Sequence, residues 1–396
     1  MSNTGTDLYG SESVEVLKGP TSVLYGQTPP GGIVNMTSRR PRDEFGGELE
    51  AQLGEYNHMQ IAGDVTGAFT DTVSGRFTAL YRDRETQVDQ LTSKRLFISP
   101  AVTFKFTPDT QLTLLGNYQD DDLENQSTGF LPAFGTSRPN PLGKVPVGRN
   151  LGETGYNFFE RKQYSVGYDF SHSFSDRFSV QQNLKYFDVQ VDSRAVFGAG
   201  LLDADFNGVP DDYRTVQRFD FPFNEDITSL SVDTRGYFNF DTGAVEHALL
   251  FGVDHRHYKG YSEFGFGLAP SIDLFDPVYN AVIPPATIFP FIDETRDQTG
   301  VYVQDQIKLD RLVFTLSGRN DWLDTETAAG SVDEDEFSYR VGVNYVFPNG
   351  LAPYVQTAKS FQPISGADAS GNAFVPTTGK QVEAGLKFDG RTLAAA

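Results

Sequence analysis

Tyr164, Val166, Tyr168 and Phe170 alternate with Ser165, Gly167, Asp169 and Ser171. Leu312, Phe314 and Leu316 alternate with Val313, Thr315 and Ser317, and Tyr339, Val341, Val343, Tyr345 and Phe347 with Arg340, Gly342 and Asn344. A period of two gives an extended strand one apolar and one polar face. From Phe45 to Phe388 the pattern predicts about 14 strands, each near the 9–11 residues that cross a bilayer when tilted. Two architectures suit it. A soluble sandwich turns the apolar face inward, whereas a membrane barrel turns it to lipid and lines its lumen with the polar face.

The connections separate the two. Short turns rich in Asp, Gly and Pro fall at Ala68 to Val73, Thr107 to Asp109, Phe174 to Arg177, Asp241 to Ala244, Leu309 to Arg311, Pro348 to Gly350 and Asp389 to Arg391. Between them lie longer spans at Leu123 to Asn157, Ser193 to Glu225 and Tyr261 to Glu294. Shorter members of that class are Gly54 to Asn57, Thr86 to Ser93, Glu326 to Asp335 and Gln362 to Thr378. Short and long alternate without a break, as periplasmic turns and extracellular loops do in an outer-membrane barrel. Phe104, Phe106, Phe240 and Phe347 precede short turns, where an interfacial aromatic girdle is expected.

The first residues differ in kind. Val14-Glu-Val-Leu-Lys-Gly-Pro20 reads as a strand ending in a Gly-Pro turn. Thr21 to Tyr25 makes one helical turn, and Gly31-Gly-Ile-Val-Asn-Met-Thr-Ser38 is a returning strand. A compact knot followed by a meander predicts a plug, residues 1–44, feeding a barrel, residues 45–396. Gly19, Gly26, Gly31 and Gly32 serve backbone geometry there. Lys18, Arg39 and Arg40 are expected to pair with acidic groups on the wall.

Composition narrows the functions. The formal net charge is −21, from 32 basic and 53 acidic residues. This argues against nucleic acid as a partner, because phosphates need a basic surface. There is no cysteine, which closes disulfide and Cys–metal chemistry. Aromatics reach 13% of residues, which suits girdles. Carboxylates are abundant, but none sits in a recognisable catalytic motif, so no enzyme is expected.

The Val14–Pro41 segment closely resembles the end of the plug in TonB-dependent siderophore receptors of the bacterial outer membrane. Phe159-Glu-Arg-Lys-Gln-Tyr-Ser-Val-Gly-Tyr-Asp-Phe170, Gln298-Thr-Gly-Val-Tyr-Val-Gln-Asp-Gln306 and Pro376-Thr-Thr-Gly-Lys-Gln-Val-Glu-Ala-Gly-Leu-Lys387 resemble barrel strands of the ferrichrome-type members. The resemblance implies an all-β, multi-pass transmembrane antiparallel barrel of 22 strands in the complete family. It implies a ferric siderophore as cargo, hydroxamate by analogy, and no resident cofactor. TonB, ExbB and ExbD are the implied partners, with lipopolysaccharide around the barrel. Against the family pattern the chain is expected to be partial. Signal, TonB box and most of the plug are not seen before Met1, and roughly eight strands would follow. A passive porin-like barrel is the alternative.

The resemblance also suggests ligand contacts. Phe130, in Thr128-Gly-Phe-Leu-Pro132, matches a contacting aromatic. Phe197, in Val196-Phe-Gly-Ala-Gly200, matches a Tyr, and Phe266, in Phe264-Gly-Phe-Gly267, matches another aromatic. Independently, Asp203-Ala-Asp-Phe-Asn-Gly-Val-Pro-Asp211 spaces Asp203, Asp205, Asn207 and Asp211 as oxygen ligands around a Gly turn. That spacing suits Ca²⁺, although Arg214 stands where an EF-hand has its Glu. His255 and His257 share one strand face and are expected in the headgroup zone.

Overall fold

A computed structural model describes residues 5–328, 330–364, 374–389 and 394–395. A 3-10 turn, Leu8–Gly10, leads into β1 (Ser11–Lys18), one helical turn α1 (Ser22–Tyr25) and β2 (Gly32–Ser38). Among the described residues β1 and β2 pair only with each other. Gly26 ends α1 at φ 70°, where a Cβ would meet the Arg319 guanidinium at 3.0 Å. Only glycine takes that conformation without strain at such a close approach.

The meander follows in chain order: β3 (Gly46–Leu53), β4 (Met59–Thr70), β5 (Val73–Glu85), β6 (Thr92–Thr107), β7 (Thr110–Glu124) and β8 (Phe158–Ser175). Then come β9 (Phe178–Leu201), β10 (Thr215–Thr242), β11 (Val245–Gly265), β12 (Gly267–Asp273) and β13 (Ile288–Leu309). The last are β14 (Leu312–Thr327), β15 (Gly330–Tyr345), β16 (Leu351–Gln362), β17 (Thr377–Asp389) and β18 (Ala394–Ala395). Each pairs antiparallel with its chain neighbour, except that β12 folds back on β10 and β11 pairs directly with β13. With β12 set aside, fourteen strands run from β3 to β17, as the alternation predicts. Among the described residues no ladder joins β3 to β17 or β18.

The sheet is inside out. On β14, Phe314 and Leu316 are exposed while Ser317, Arg319 and Asp321 are buried. On β4, Ile61 and Val65 are exposed and Asp64 and Thr66 are buried. Outward apolar side chains make sense only where lipid replaces water. The girdle stands above the short turns: Phe104 stacks on Phe106, Phe238 on Phe240, Phe174 on Phe178, and Tyr345 meets Phe347 edge-on at 4.8 Å.

The N-terminal segment lies on the polar face. Gln119 and Gln163 donate to the Gly5 carbonyl at 3.0 and 2.7 Å. Asp7 takes Arg95 at 2.8 Å and Arg82 at 3.3 Å. Ser22 and Thr28 bond the backbone of Phe361 on β16, at the other side of the sheet. Arg39 pairs with Glu48 and Asp64, and Arg40 with Asp169, as expected from sequence. Lys18 makes no ion pair among the described residues.

Three expectations about loops are corrected: within Tyr261 to Glu294, β11 continues to Gly265, β12 lies entirely inside the span and β13 starts at Ile288. Ser193 to Glu225 is not a loop: β9 runs to Leu201 and β10 starts at Thr215. Nor is Glu326 to Asp335: β14 runs to Thr327 and β15 starts at Gly330, directly opposite it. β10 has 28 residues, roughly 90 Å of extended chain, far more than a bilayer needs. Above the membrane both faces of a strand can meet water or other loops, so the apolar alternation fades although pairing continues.

Candidate functional site

The site grows from the upper ends of β9 and β10. Gln163 sits directly opposite Val189 and reaches the N-terminal segment, which fixes that face as the lumen. Period two carries the face upward through Val191, Ser193 and Ala195 to Phe197. Phe197 lies opposite Phe219 on β10, with ring centroids 6.2 Å apart. Phe266, at the β11–β12 junction, stacks on Phe219 at 4.7 Å and 22° and stands 6.5 Å from Phe197. Phe221, Phe223 and Phe264 continue the aromatic wall below, with Phe221 and Phe264 rings 5.5 Å apart.

The opposite face of β10 anchors this wall. Arg218, fully buried, donates to Pro270 O at 2.7 Å, Gly152 O at 2.8 Å and Glu153 Oε2 at 2.7 Å. Glu153 Oε1 in turn accepts the backbone N–H groups of Asn280 and Ala281. One ion pair therefore ties the 125–157 loop, the 274–287 loop and β12 to the strand. Tyr156 donates to Asp220 Oδ1 at 3.1 Å; burial and the Asp220 charge push its phenol up to about 12, so it stays a donor at neutral pH. Asn157 closes a two-way bond with the backbone of Val196, 2.8 Å in each direction. Val145, Leu151, Val216, Ile272 and Leu274 form a dry core beneath these contacts.

The structure brings Phe197 and Phe266 together but not Phe130. The Gly129 backbone, at φ 91°, packs against Phe197, and the next ring, Phe130, is 93% exposed. Phe219, which packs against both rings, is not marked by the resemblance. Its signal was available in Phe219-Asp-Phe-Pro-Phe223, an aromatic at every second position.

At the tip between β9 and β10, carboxylate oxygens of Asp203, Asp205 and Asp211 lie within 4.8 Å of one another. Asn207 is turned away from a ligand role. Its carbonyl oxygen accepts Val209 N–H at 2.7 Å and its amide donates to Asp205 at 2.8 Å. Asp203 is likewise engaged by the N–H groups of Asn207 and Gly208.

Residues 37–396 match the family described as TonB dependent receptor-like, beta-barrel. The chain belongs to that family, a family of outer-membrane receptors rather than enzymes. It is 35% identical to a ferrioxamine B receptor of Salmonella typhimurium over 386 residues, covering 96% of this chain and 54% of that protein. It is 36% identical to a ferrichrome outer membrane transporter/phage receptor of Escherichia coli over 409 residues, covering 96% of this chain and 54% of that protein. The chain thus spans about half the length of these curated relatives. The ferripyoverdine receptor of the Pseudomonas aeruginosa outer membrane shares the fold, with TM-score 0.86 and 23% identity, over 97% of this chain and 51% of that one.

Proposed function

We propose that this chain supplies the N-terminal part of the barrel, with the adjoining plug strands, of a receptor that takes up a ferric siderophore. The observation that carries this is the stacked Phe197–Phe219–Phe266 group on the lumen face at the loop end of the sheet. Aromatic rings on a rigid wall suit a bulky, partly apolar chelate. A hydroxamate chelate is favoured by the ferrioxamine and ferrichrome receptors among the relatives. TonB, with ExbB and ExbD, is the motor the family implies for the complete receptor. The porin alternative is disfavoured by the N-terminal segment, which crosses the lumen face from β7 to β16.

Binding of ferric ferrioxamine B to the folded chain, read by tryptophan quenching or calorimetry, tests the reading. Phe219→Ala is expected to weaken it by about tenfold, in line with 1–3 kcal/mol for a buried contact ring. Equal affinity for a ferric catecholate would overturn the hydroxamate preference, and unchanged affinity in Phe219→Ala would overturn the site. Phe130, fully in solvent, is expected to change affinity less than Phe219. A calcium ion at Asp203, Asp205 and Asp211 is a second, separate reading, supported by the convergence of the three carboxylates. Absence of heat on titration with millimolar Ca²⁺ removes it.

A further inference from the structure

Between the wall strands β7 to β11 and the N-terminal segment lies a polar cavity of about 550 Å³. β2 lines it with Asn35 and Thr37, and β9, β10 and β11 line it with Lys185, Ser231 and Arg256. Register sets these last three in one row: Ser231 lies directly opposite Lys185 on one flank and Arg256 on the other. The row is on the lumen face, in phase with Val189 further up β9. It stands roughly 40 Å of strand below Phe197, clear of the aromatic wall.

Among the described residues the side chains of Lys185 and Arg256 make no ion pair and donate no hydrogen bond; Lys185 Nζ lies 5.7 Å from the centre of the Phe187 ring. The carboxylates lining the same cavity are all engaged. Asp169 pairs with Arg40, Asp233 accepts Arg235 at 2.7 Å and Tyr302 at 2.6 Å, and Asp254 accepts Arg319 at 2.9 Å. Two cations are therefore left without a counter-charge in one row of the wall. The Ser231 hydroxyl between them makes only a long bond, 3.4 Å, to the Lys185 carbonyl.

We propose that Lys185, Ser231 and Arg256 form a lumen site for a small oxyanion of the carboxylate or phosphate class. The Arg256 guanidinium presents a planar fork that matches both groups, and Lys185 adds a compact second charge. Strand spacing puts their Cα atoms about 10 Å apart, so a group seated over Ser231 lies within reach of both side chains. The hydroxyl is a third donor. Bonds between charged partners are the strong ones, and a confined space beside the N-terminal segment screens them less than open water. The site does not depend on which chelate the aromatic wall holds.

The test is calorimetric titration of the full chain, folded in detergent micelles at low salt, with inorganic phosphate and separately with citrate. One anion per chain is expected, phosphate binding indicating a single seat and citrate binding a ligand that spans both cations. Lys185→Met and Arg256→Met are each expected to weaken it by about tenfold, as for one lost charge-assisted bond. Lys259→Met, on the outward face of β11, should leave it unchanged. No heat with either anion, unchanged affinity in the two lumen variants, or an equal loss in Lys259→Met overturns the proposal. Should the lumen variants fail to fold, phenylglyoxal labelling of Arg256 in the unsubstituted chain, read by mass spectrometry, decides. Protection of Arg256 by the added anion supports the site, and unchanged labelling overturns it.

Discussion

The membrane-height part of the sheet and the cap above it solve opposite problems with the same strands. Low on β14, Phe314 and Leu316 face out and Arg319 and Asp321 are sealed inside. High on β10, Val216 is buried in a dry cluster with Leu151, Ile272 and Leu274, as in a water-soluble protein. The difference is the solvent. Lipid accepts apolar side chains at no cost, so the lower wall can put its polar residues in the lumen. Water does not, so the cap must bury its own apolar residues beneath loops.

The ionic groups follow the same division. In the lumen, Arg76 grips Asp64 across adjacent strands, and Arg319 bridges Asp321 and Asp254. These pairs stay within one sheet, the first between adjacent strands and the second along β14 and past β13 to β11. In the cap, the fully buried Arg218–Glu153 pair joins a strand to the loop that covers it. It is the fastener that closes the loops over β10.

Breaking that fastener should give the largest effect. Arg218→Ala leaves the Glu153 carboxylate buried and unpaired, a loss of about 3–5 kcal/mol. It should appear as rapid proteolysis of the 125–157 and 274–287 loops with the barrel strands intact. Arg218→Met with Glu153→Leu is expected to restore most of the protection, because no charge is then stranded.

Next in size is a matched pair of truncations. Leu274→Ala opens a cavity in the cap core and should cost roughly 3 kcal/mol in thermal unfolding of the cap. Val253→Ala, outward in the belt, should cost less than about 1 kcal/mol in micelles, since detergent fills the space. Equal losses at the two positions would show that the cap and the belt share one environment, against the contrast drawn here.

Acid gives the smallest effect. Partial burial pushes the Asp273 carboxyl up, but the Arg214 guanidinium and the N–H groups of Phe275 and Asp276 outweigh it, so its pKa lies below the usual range. Asp212, bonded by Thr215 and Arg214, is lowered in the same way. A lowered carboxylate stabilises the folded form above its unfolded pKa, near 4, and loses that contribution as pH falls through the folded value. Below about pH 4 amide exchange at the Leu202–Arg214 turn and at β12 should therefore rise. A turn unchanged down to pH 2 would remove these carboxylates from the account.

Much of the barrel is legible in the chain. Tyr164, Val166, Phe314 and Leu316 declare their faces because one side of each strand meets lipid and the other meets polar groups. That contrast is local, written at every second residue, and it specifies strand, face and turn together. The N-terminal knot is legible for the same reason: Gly19, Gly26 and Gly32 mark left-handed turns that few other residues tolerate. Phe197 and Phe266 could be singled out, but nothing local says that Phe219 lies between them.

Pairing partners are another matter. Register places Phe197 opposite Phe219, folds β12 back on β10, and sets Asp297 beside His257. The Asp203 loop spacing suggested four oxygen ligands, yet hydrogen bonds within the turn engage Asn207 and leave three carboxylates facing one another. Alternation along one strand reports the solvent on each side of that strand. It carries no information about which distant residue arrives across the ladder, and that choice belongs to the assembled sheet, through register, long-range ion pairs and the closing of loops over the cap.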